Sequence, residues 1–267
     1  MDTKKIKRTG IGKKSSQLLS ELAAKNKAIF TFGEARALLK EKKPATAKLL
    51  HDLVRNGWLF RIAKGIYMIL PLEAGAKPEF TEHEFAIASS MAGEGYISYW
   101  SALNYYGFTE QVPKTVFVAI TRRKKEKEVL GLRIRFVCIK KKKFFGFKKI
   151  CINNIHVRIA EKEKAIIDCL DLPRNCGGIS EAVKAISGAK DEIDSKKMEM
   201  YAKRMGNNAV INRLGYIFEL LGIKTALKPG KHPALLEPEA GTKGRYNQKW
   251  NIIENVPKKE LLSWREH

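Results

Sequence analysis

Basic side chains are spaced along residues 44–55 in a pattern that could bind an anionic polymer. Lys48, His51, Asp52 and Arg55 recur at i, i+3, i+4 and i+7, the spacing of one face of an α-helix. Lysine and arginine donate hydrogen bonds to phosphate oxygens, and a helix in the DNA major groove presents such side chains to base edges. The first chemistry that the sequence indicates is therefore recognition of nucleic acid.

The net charge of +23 is concentrated in two parts of the 267-residue chain. Residues 1–70 carry 16 lysines and arginines against 5 acidic residues, and residues 121–149 carry 13 against 2. Each block has a net charge of +11, which leaves +1 for the rest of the chain. Concentrated positive charge favours a polyanionic partner, namely DNA, RNA or an acidic membrane surface.

Membrane insertion is not expected from the hydropathy pattern. The best apolar stretch, residues 66–72, is far shorter than the about 20 residues that cross a bilayer. The basic N-terminus continues into polar residues without the apolar segment of a signal peptide. We expect a cytoplasmic protein with no membrane partner, and its four cysteines are expected to be reduced packing residues.

Motifs for catalysis and metal binding are incomplete in this sequence. His83-Glu84 begins like the zinc motif H-E-x-x-H, but Ile87 occupies the place of the second histidine. The sequence has no G-x-S-x-G element, no P-loop and no cysteine–histidine set at zinc spacing. We expect no catalytic residue, no metal and no cofactor; a nuclease that uses Glu161 or Asp168 is the enzymatic alternative.

The elements that would position the basic face follow from local signals. Three short helices are predicted, over residues 16–25, 32–40 and 44–55. Thr31 and Glu34 form a capping box that opens the second helix, and Pro44 suits the first turn of the third. Asn56-Gly57 is a typical stop for that third helix.

Two apolar runs after the third helix indicate a β-hairpin. Residues 58–62 and 66–70 flank a turn that contains Gly65. Three helices followed by a hairpin is the element order of a winged helix-turn-helix. Proline and glycine punctuate residues 70–78, so we predict a winged helix-turn-helix domain with a basic tail over 1–75 and a second domain over 76–267.

DNA contacts in the first domain are expected from the third helix, the hairpin or wing, and the N-terminal segment. The tail, with Lys4, Lys5, Lys7 and Arg8, could follow a phosphate backbone or enter a minor groove. The alternatives are a solvated basic face or a protein-contacting domain. The residues expected to contact DNA are Lys13, Lys14, Thr46, Lys48, His51, Arg55, Arg61 and Lys64.

The rest of the chain alternates strand and helix signals. Strands rich in β-branched and aromatic residues are predicted over 115–121, 132–139 and 155–160. Helices are predicted over 81–91, 161–170, 179–186, 194–205 and 208–221. The fold class is α+β, an N-terminal winged helix-turn-helix plus a larger mixed α+β C-terminal domain with a helical end.

The second basic block is a possible second nucleic-acid surface or a solubilising loop. If the strands at 115–121 and 132–139 pair as a hairpin, its two charged runs lie at opposite ends of that hairpin. Phe144, Phe145 and Phe147 could stack on bases, or they could pack in the core. The residues of this possible surface are Arg122, Arg123, Lys124, Lys125, Lys140, Lys141, Lys142 and Lys143.

Two further features have a structural and a partner-binding interpretation. The aromatic cluster Tyr99, Trp100, Tyr105 and Tyr106 is either core or part of a partner groove. Arg213 lies among apolar residues and is either a buried ion-pairing residue or a contact for a partner protein.

Taken in order, several segments resemble the AbiEi-type antitoxins. Together with the winged helix they span residues 15 to 256, and their order and spacing are more specific than any one of them. The segments are 95–103 (GYISYWSAL), 106–113, 116–121, 159–168 (IAEKEKAIID), 176–179, 201–206, 213–222 (RLGYIFELLG) and 250–255. The lysine-rich block of residues 121–149 is more basic than this resemblance would suggest.

The resemblance implies the antitoxin half of a bicistronic toxin–antitoxin system. The winged helix would bind inverted repeats of double-stranded DNA in the system's own promoter and repress it. The second domain would oppose a cognate nucleotidyltransferase-like toxin, directly or indirectly. A winged-helix transcriptional regulator without a toxin is the alternative.

Overall fold

The computed structural model describes residue 8 and residues 10–70 and 83–266. The chain divides into two compact units. The first contains the described residues up to Gly93, with 128–132 and 150–157, and the second contains the remainder. The predicted boundary at 70–78 lies almost wholly outside the described residues.

The first unit has the element order of a winged helix. Its elements are α1 (Lys13–Ala24), β1 (Ile29–Thr31), α2 (Phe32–Leu39), α3 (Lys43–Arg55), β2 (Leu59–Ala63), β3 (Ile66–Ile69) and α4 (Glu84–Ala92). The predicted helices and hairpin are all present. Strand β1 was not predicted, because three residues carry little local signal; it forms by antiparallel pairing with β3, which lies between β1 and β2.

The helix ends in this unit form as their sequences indicate. The Thr31 hydroxyl accepts a hydrogen bond from the Glu34 amide at 3.2 Å, and the Thr31 amide donates to Glu34 Oε2 at 2.7 Å, so the predicted capping box is confirmed. Pro44 lies in the first turn of α3. Gly57 adopts a φ of 74°, in the left-handed region where a side chain would be strained, directly after that helix ends.

One apolar cluster holds the first unit together. Each large side chain removed from water contributes about 1.5–3 kcal/mol relative to full exposure. Leu50 and Leu53 of α3 pack in this cluster, so the opposite face of α3 is exposed to solvent. The buried members are Leu18, Leu22, Phe30, Ala35, Leu50, Leu53, Leu59 and Tyr67.

The chain after Gly93 is a mixed α+β region, as predicted, but its end is not purely helical, because a small three-stranded sheet follows the long helices. Its helices are α5 (Tyr99–Tyr105), α6 (Lys162–Asp171), α7 (Ile179–Gly188), α8 (Ser195–Met205), α9 (Asn208–Leu220) and α10 (Lys258–Leu261). Its strands are β4 (Gly95–Ile97), β5 (Thr115–Ile120), β6 (Lys127–Val129), β7 (Leu132–Cys138), β8 (Phe147–Ile152), β9 (Ile155–Ala160), β10 (Ala234–Leu235), β11 (Arg245–Asn247) and β12 (Ile252–Glu254).

Two sheets organise these strands. The larger has the order β6-β7-β5-β4-β9-β8, and the smaller has the order β10-β12-β11. Strands β5 and β7 run parallel, with Thr115 opposite Arg133 and Ile120 opposite Cys138. The hairpin considered for these two strands is therefore wrong. Two parallel strands cannot be joined by a tight turn. The connection between them passes through β6, which brings the chain back to the edge of the sheet at which β5 begins, so that β7 can start there.

Candidate nucleic-acid interface

The basic face of α3 is exposed. Lys48 is solvent-exposed, and the side chains of His51 and Arg55 are 76% and 68% exposed. Asp52 lies among them, with Oδ1 3.2 Å from an Arg55 guanidinium nitrogen and 3.7 Å from His51 Nδ1. The face is thus cationic with one carboxylate, which orients Arg55 along the helix.

Three lysines outside the expected set of DNA contacts lie at the turn between α2 and α3. Lys40 ends α2 in the left-handed conformation with a φ of 53°, and Lys42 and Lys43 begin α3. All three side chains are exposed. Their position at the turn between two helices is the signal that could have identified them.

Thr46 departs from the expected set of DNA contacts. Its side chain is fully buried, and its hydroxyl donates to the Lys42 carbonyl at 3.2 Å. The physical reason is helical periodicity, since position 46 lies four and seven residues before Leu50 and Leu53 and shares their inward face. Thr46 supports the start of α3 and cannot reach a base from this position.

The hairpin that forms the wing is short. Arg61 on β2 is exposed, and Lys64 is exposed in a tight turn with Gly65. Gly65 has a φ of 75°, and its carbonyl accepts a hydrogen bond from the Phe32 amide at 2.8 Å. This bond fixes the tip of the hairpin to the start of α2, so Arg61 and Lys64 are presented from an anchored turn.

The N-terminal cations have different environments. Lys4, Lys5 and Lys7 lie outside the described residues. The Arg8 guanidinium donates to the Gly57 and Leu70 carbonyls at 3.3 and 3.1 Å and lies over the Trp58 ring, so it anchors the segment. Lys13 is exposed at the start of α1, and Lys14 is exposed and ion-paired with Glu41.

The two charged runs of the second basic block lie in the second unit, directly after β5 and β7. Because those strands are parallel and in register, the runs 122–125 and 140–143 leave the sheet at the same edge. Lys143 is the exception among the predicted cations, since its side chain is only 15% exposed and its ammonium lies 2.6 Å from the Asp171 carboxylate. The exposed members are Arg122, Arg123, Lys124, Lys125, Lys140, Lys141 and Lys142.

The phenylalanines of this block pack inward. Phe145 is 5% exposed, and its ring contacts Tyr201 edge-on at 5.2 Å between centroids. Phe144 and Phe147 lie 5.4 and 5.0 Å from the Tyr96 ring. These contacts favour the core interpretation over base stacking.

A buried polar network in the second unit was not foreseen. Lys164 and Asp168 form an ion pair at 0% and 1% exposure on one face of α6. The hydroxyls of Tyr96 and Ser98 donate to Asp168 Oδ2 at 3.0 and 2.7 Å, and the Lys164 ammonium donates to the Tyr96 oxygen at 2.9 Å. Burial, and then the negative charge of Asp168, raises the pKa of Tyr96 well above its usual range, so its hydroxyl stays a donor.

The carboxylates considered for a nuclease have separate partners. Glu161 forms an ion pair with the Lys197 ammonium at 3.0 Å and accepts a hydrogen bond from the Tyr201 hydroxyl. Both carboxylate oxygens of Asp168 have partners in the buried network. In the part of the chain that the structure describes, no three His, Cys, Asp or Glu residues are grouped so that they could hold a metal ion.

Other sequence-selected residues have structural contacts. Arg213 donates to the Leu170 carbonyl at 2.7 Å and to the Leu235 carbonyl at 2.9 and 3.0 Å, so it joins α9 to neighbouring segments through carbonyls rather than an ion pair. His83 caps α4, with Nδ1 accepting from the Phe85 amide at 3.1 Å.

The aromatic cluster divides between core and surface. Tyr99 is fully buried, and the Tyr106 hydroxyl donates to the Ala160 carbonyl at 2.7 Å. Tyr105 is 43% exposed. Tyr99 and Tyr106 therefore support the core interpretation.

The first unit is a winged helix-turn-helix with an exposed basic face, an arrangement typical of DNA-binding domains. Residues 17–69 match the family model described as "Transcriptional regulator, AbiEi antitoxin". The resemblance inferred from the sequence is thus confirmed for the N-terminal region, where this chain is similar to the antitoxin regulators. The segments quoted beyond residue 69 lie outside the matched stretch.

A solved structure shares the fold over nearly the whole chain. It is the crystal structure of the RV2827C protein from Mycobacterium tuberculosis, with a TM-score of 0.67 and 13% sequence identity. The alignment covers 99% of this chain and 98% of that one. No curated protein matches the sequence. Among the described helices, none is long and apolar enough to cross a membrane.

Proposed function

We propose that this chain is a DNA-binding antitoxin that represses its own operon. The observation that carries the proposal is the exposed cationic face of α3 in a winged helix whose sequence matches antitoxin regulators. Cations at the start of α3 and on the wing would hold the phosphate backbone, and Lys48, His51 and Arg55 would contact base edges in the major groove. Action on promoter DNA would place the protein in the cytoplasm.

The second unit is proposed to act against the toxin. The family resemblance supports a nucleotidyltransferase-like toxin encoded next to this chain, opposed directly or indirectly. A neighbouring reading frame of that class whose product arrests growth, with growth restored on co-expression of this chain, would support the antitoxin role. A transcriptional regulator without a toxin would have no such neighbour.

DNA recognition is tested with the full chain and two 30-base-pair duplexes, one from the region upstream of its own coding sequence and one scrambled. We expect preference for the upstream duplex. Lys48→Gln and Arg55→Gln are each expected to weaken binding to it by about 5- to 150-fold, the range for loss of a base contact.

Lys25→Gln is the matched control, because Lys25 is also exposed in the first unit but follows the end of α1. It should leave the preference for the upstream duplex unchanged. If both α3 variants bind like the wild type, α3 is not the recognition helix. Equal binding of the two duplexes by the wild type would remove the autorepressor proposal.

A further inference from the structure

We propose that the edge formed by the ends of β5 and β7 is a second DNA-binding surface, which holds the phosphate backbone of a duplex without contacting its bases. We call it the strand-end surface. It lies within the second unit and does not depend on the winged helix. Its residues are Arg122, Arg123, Lys124, Lys125, Lys140, Lys141 and Lys142.

Strand pairing brings the two runs together. Ile120 is in register with Cys138, and the Ile139 amide donates to the Ile120 carbonyl at 2.8 Å, so pairing continues to the last residues of both strands. Neighbouring strands lie about 4.8 Å apart, which is less than the length of a lysine side chain. Two charged runs that are some 18 residues apart in sequence therefore form one cationic edge.

Two carboxylates close to this edge are paired with cations outside the strand-end surface. Glu126, which follows the first run, contacts Arg133 and Arg135 at 3.6 and 2.8 Å. Asp171 is occupied by Lys143. Within the described residues, no ion pair joins a carboxylate to Arg122, Arg123, Lys125, Lys140, Lys141 or Lys142. Like charges so close repel one another, and a polyanion would relieve that repulsion.

The backbone that carries the second run is anchored. The Lys143 amide donates to the Lys140 carbonyl at 2.8 Å in a 3-10 turn, and the Lys143 ammonium is held by Asp171. Phe145 is buried directly after it. Lys140 and Lys141 are thus presented from a turn that is fixed on its inner side, which lowers the ordering cost of binding.

The surroundings favour duplex DNA over other polyanions. Single-stranded nucleic acid is held by exposed aromatic rings that stack on bases, but Phe144, Phe145 and Phe147 pack against Tyr96 and Tyr201. A membrane surface would also require exposed apolar side chains. Among the described residues, the large hydrophobic side chains that are exposed are those of Tyr105, Val112, Met200 and Tyr246, and all four lie outside the two runs.

The test is a salt titration of the full chain on a 30-base-pair duplex of random sequence. Lys125, Lys140 and Lys141 are replaced together by glutamine. Each lost phosphate contact removes about 0.9 from the slope of log K against log salt, so the slope should fall by up to about 2.7 and affinity at 0.15 M salt by about tenfold or more. The control variant replaces three exposed lysines of the same unit, Lys190, Lys231 and Lys243, which lie outside both runs.

The two variants carry the same change in charge. If the slope falls equally in both, DNA binding depends on the overall positive charge of the protein and not on the strand-end surface, and the proposal is overturned. An unchanged slope in the first variant does the same. Tighter wild-type binding to duplex RNA or to single-stranded DNA of equal length would assign the surface to another nucleic acid and overturn the assignment to duplex DNA. The preference for the upstream duplex, which tests α3, is measured separately, so either proposal can fail alone.

A second measurement needs no change to the charged residues. Cys138 ends β7 at this edge and is exposed, whereas Cys169 and Cys176 are buried. In a Cys151→Ser background, the random duplex should slow alkylation of Cys138 by iodoacetamide several-fold at low salt. Alkylation at the same rate with and without duplex would show that the edge stays open and would overturn the inference.

Discussion

The contribution of the buried ion pair of α6 to the stability of the second unit can be measured. Lys164 and Asp168 are almost completely removed from solvent, and each is the counter-charge of the other. Asp168→Asn leaves the ammonium in the core without an anion. Loss of one partner from such a pair costs about 3–5 kcal/mol of unfolding free energy.

The double variant separates charge from packing. In Lys164→Met with Asp168→Asn, no charge remains, and the side-chain oxygen of the introduced asparagine can still accept from Tyr96 and Ser98. We expect the double variant to lose about 2 kcal/mol or less, because neutral replacements of buried pairs are often close to neutral. The coupling between the two positions should then exceed about 1 kcal/mol.

Urea unfolding followed by tryptophan fluorescence and by far-ultraviolet circular dichroism gives both quantities. Trp100 and Trp250 report on the second unit, since both lie within it. If Asp168→Asn costs less than about 1 kcal/mol, or if the two single losses simply add, the pair is not the isolated buried charge pair described above.

Three further outcomes follow from single contacts. Asp52→Asn removes the carboxylate that contacts His51 and Arg55, so it should tighten binding to the upstream duplex by a few-fold, as measured by fluorescence anisotropy. Weaker binding would mean that Asp52 holds Arg55 in the position that contacts DNA. Gly215→Ala places a methyl group about 2.0 Å from the Trp250 ring and should lower unfolding free energy by about 1–3 kcal/mol in urea titrations, whereas unchanged stability would contradict this packing. Burial lowers the pKa of His83, so its contribution is complete above the unfolded value of about 6.5 and is lost as pH falls below it. The drop in thermal midpoint from pH 7.5 to 5.5 should therefore be smaller in His83→Asn, which keeps a capping side chain but does not titrate, and an equal drop in both proteins would refute that role.

Local signals predicted most of the winged helix. The Thr31–Glu34 capping box, the proline of α3 and the glycine of the hairpin each act through hydrogen bonds or backbone angles of near neighbours, so they can be identified from sequence alone. Thr46 was also open to prediction, because its spacing from Leu50 and Leu53 already placed it on the buried face. Strand β1 was not, since its pairing with β3 involves residues about 35 or more positions away.

The second unit is only partly predictable from local sequence signals. The long helices, the strands β5, β7 and β9, the basic composition of residues 121–149 and the absence of complete catalytic motifs followed from the sequence itself. Strands β6 and β8 and the small sheet of β10, β11 and β12 were not predicted. The direction in which β5 and β7 pair was not, because an alternating strand fits a parallel or an antiparallel neighbour equally well. Only the tertiary structure decided that the two lysine-rich runs share one edge, and only it joined Tyr96 and Ser98 to an ion pair about 70 residues away in the chain, since long-range packing and not local preference selects those contacts.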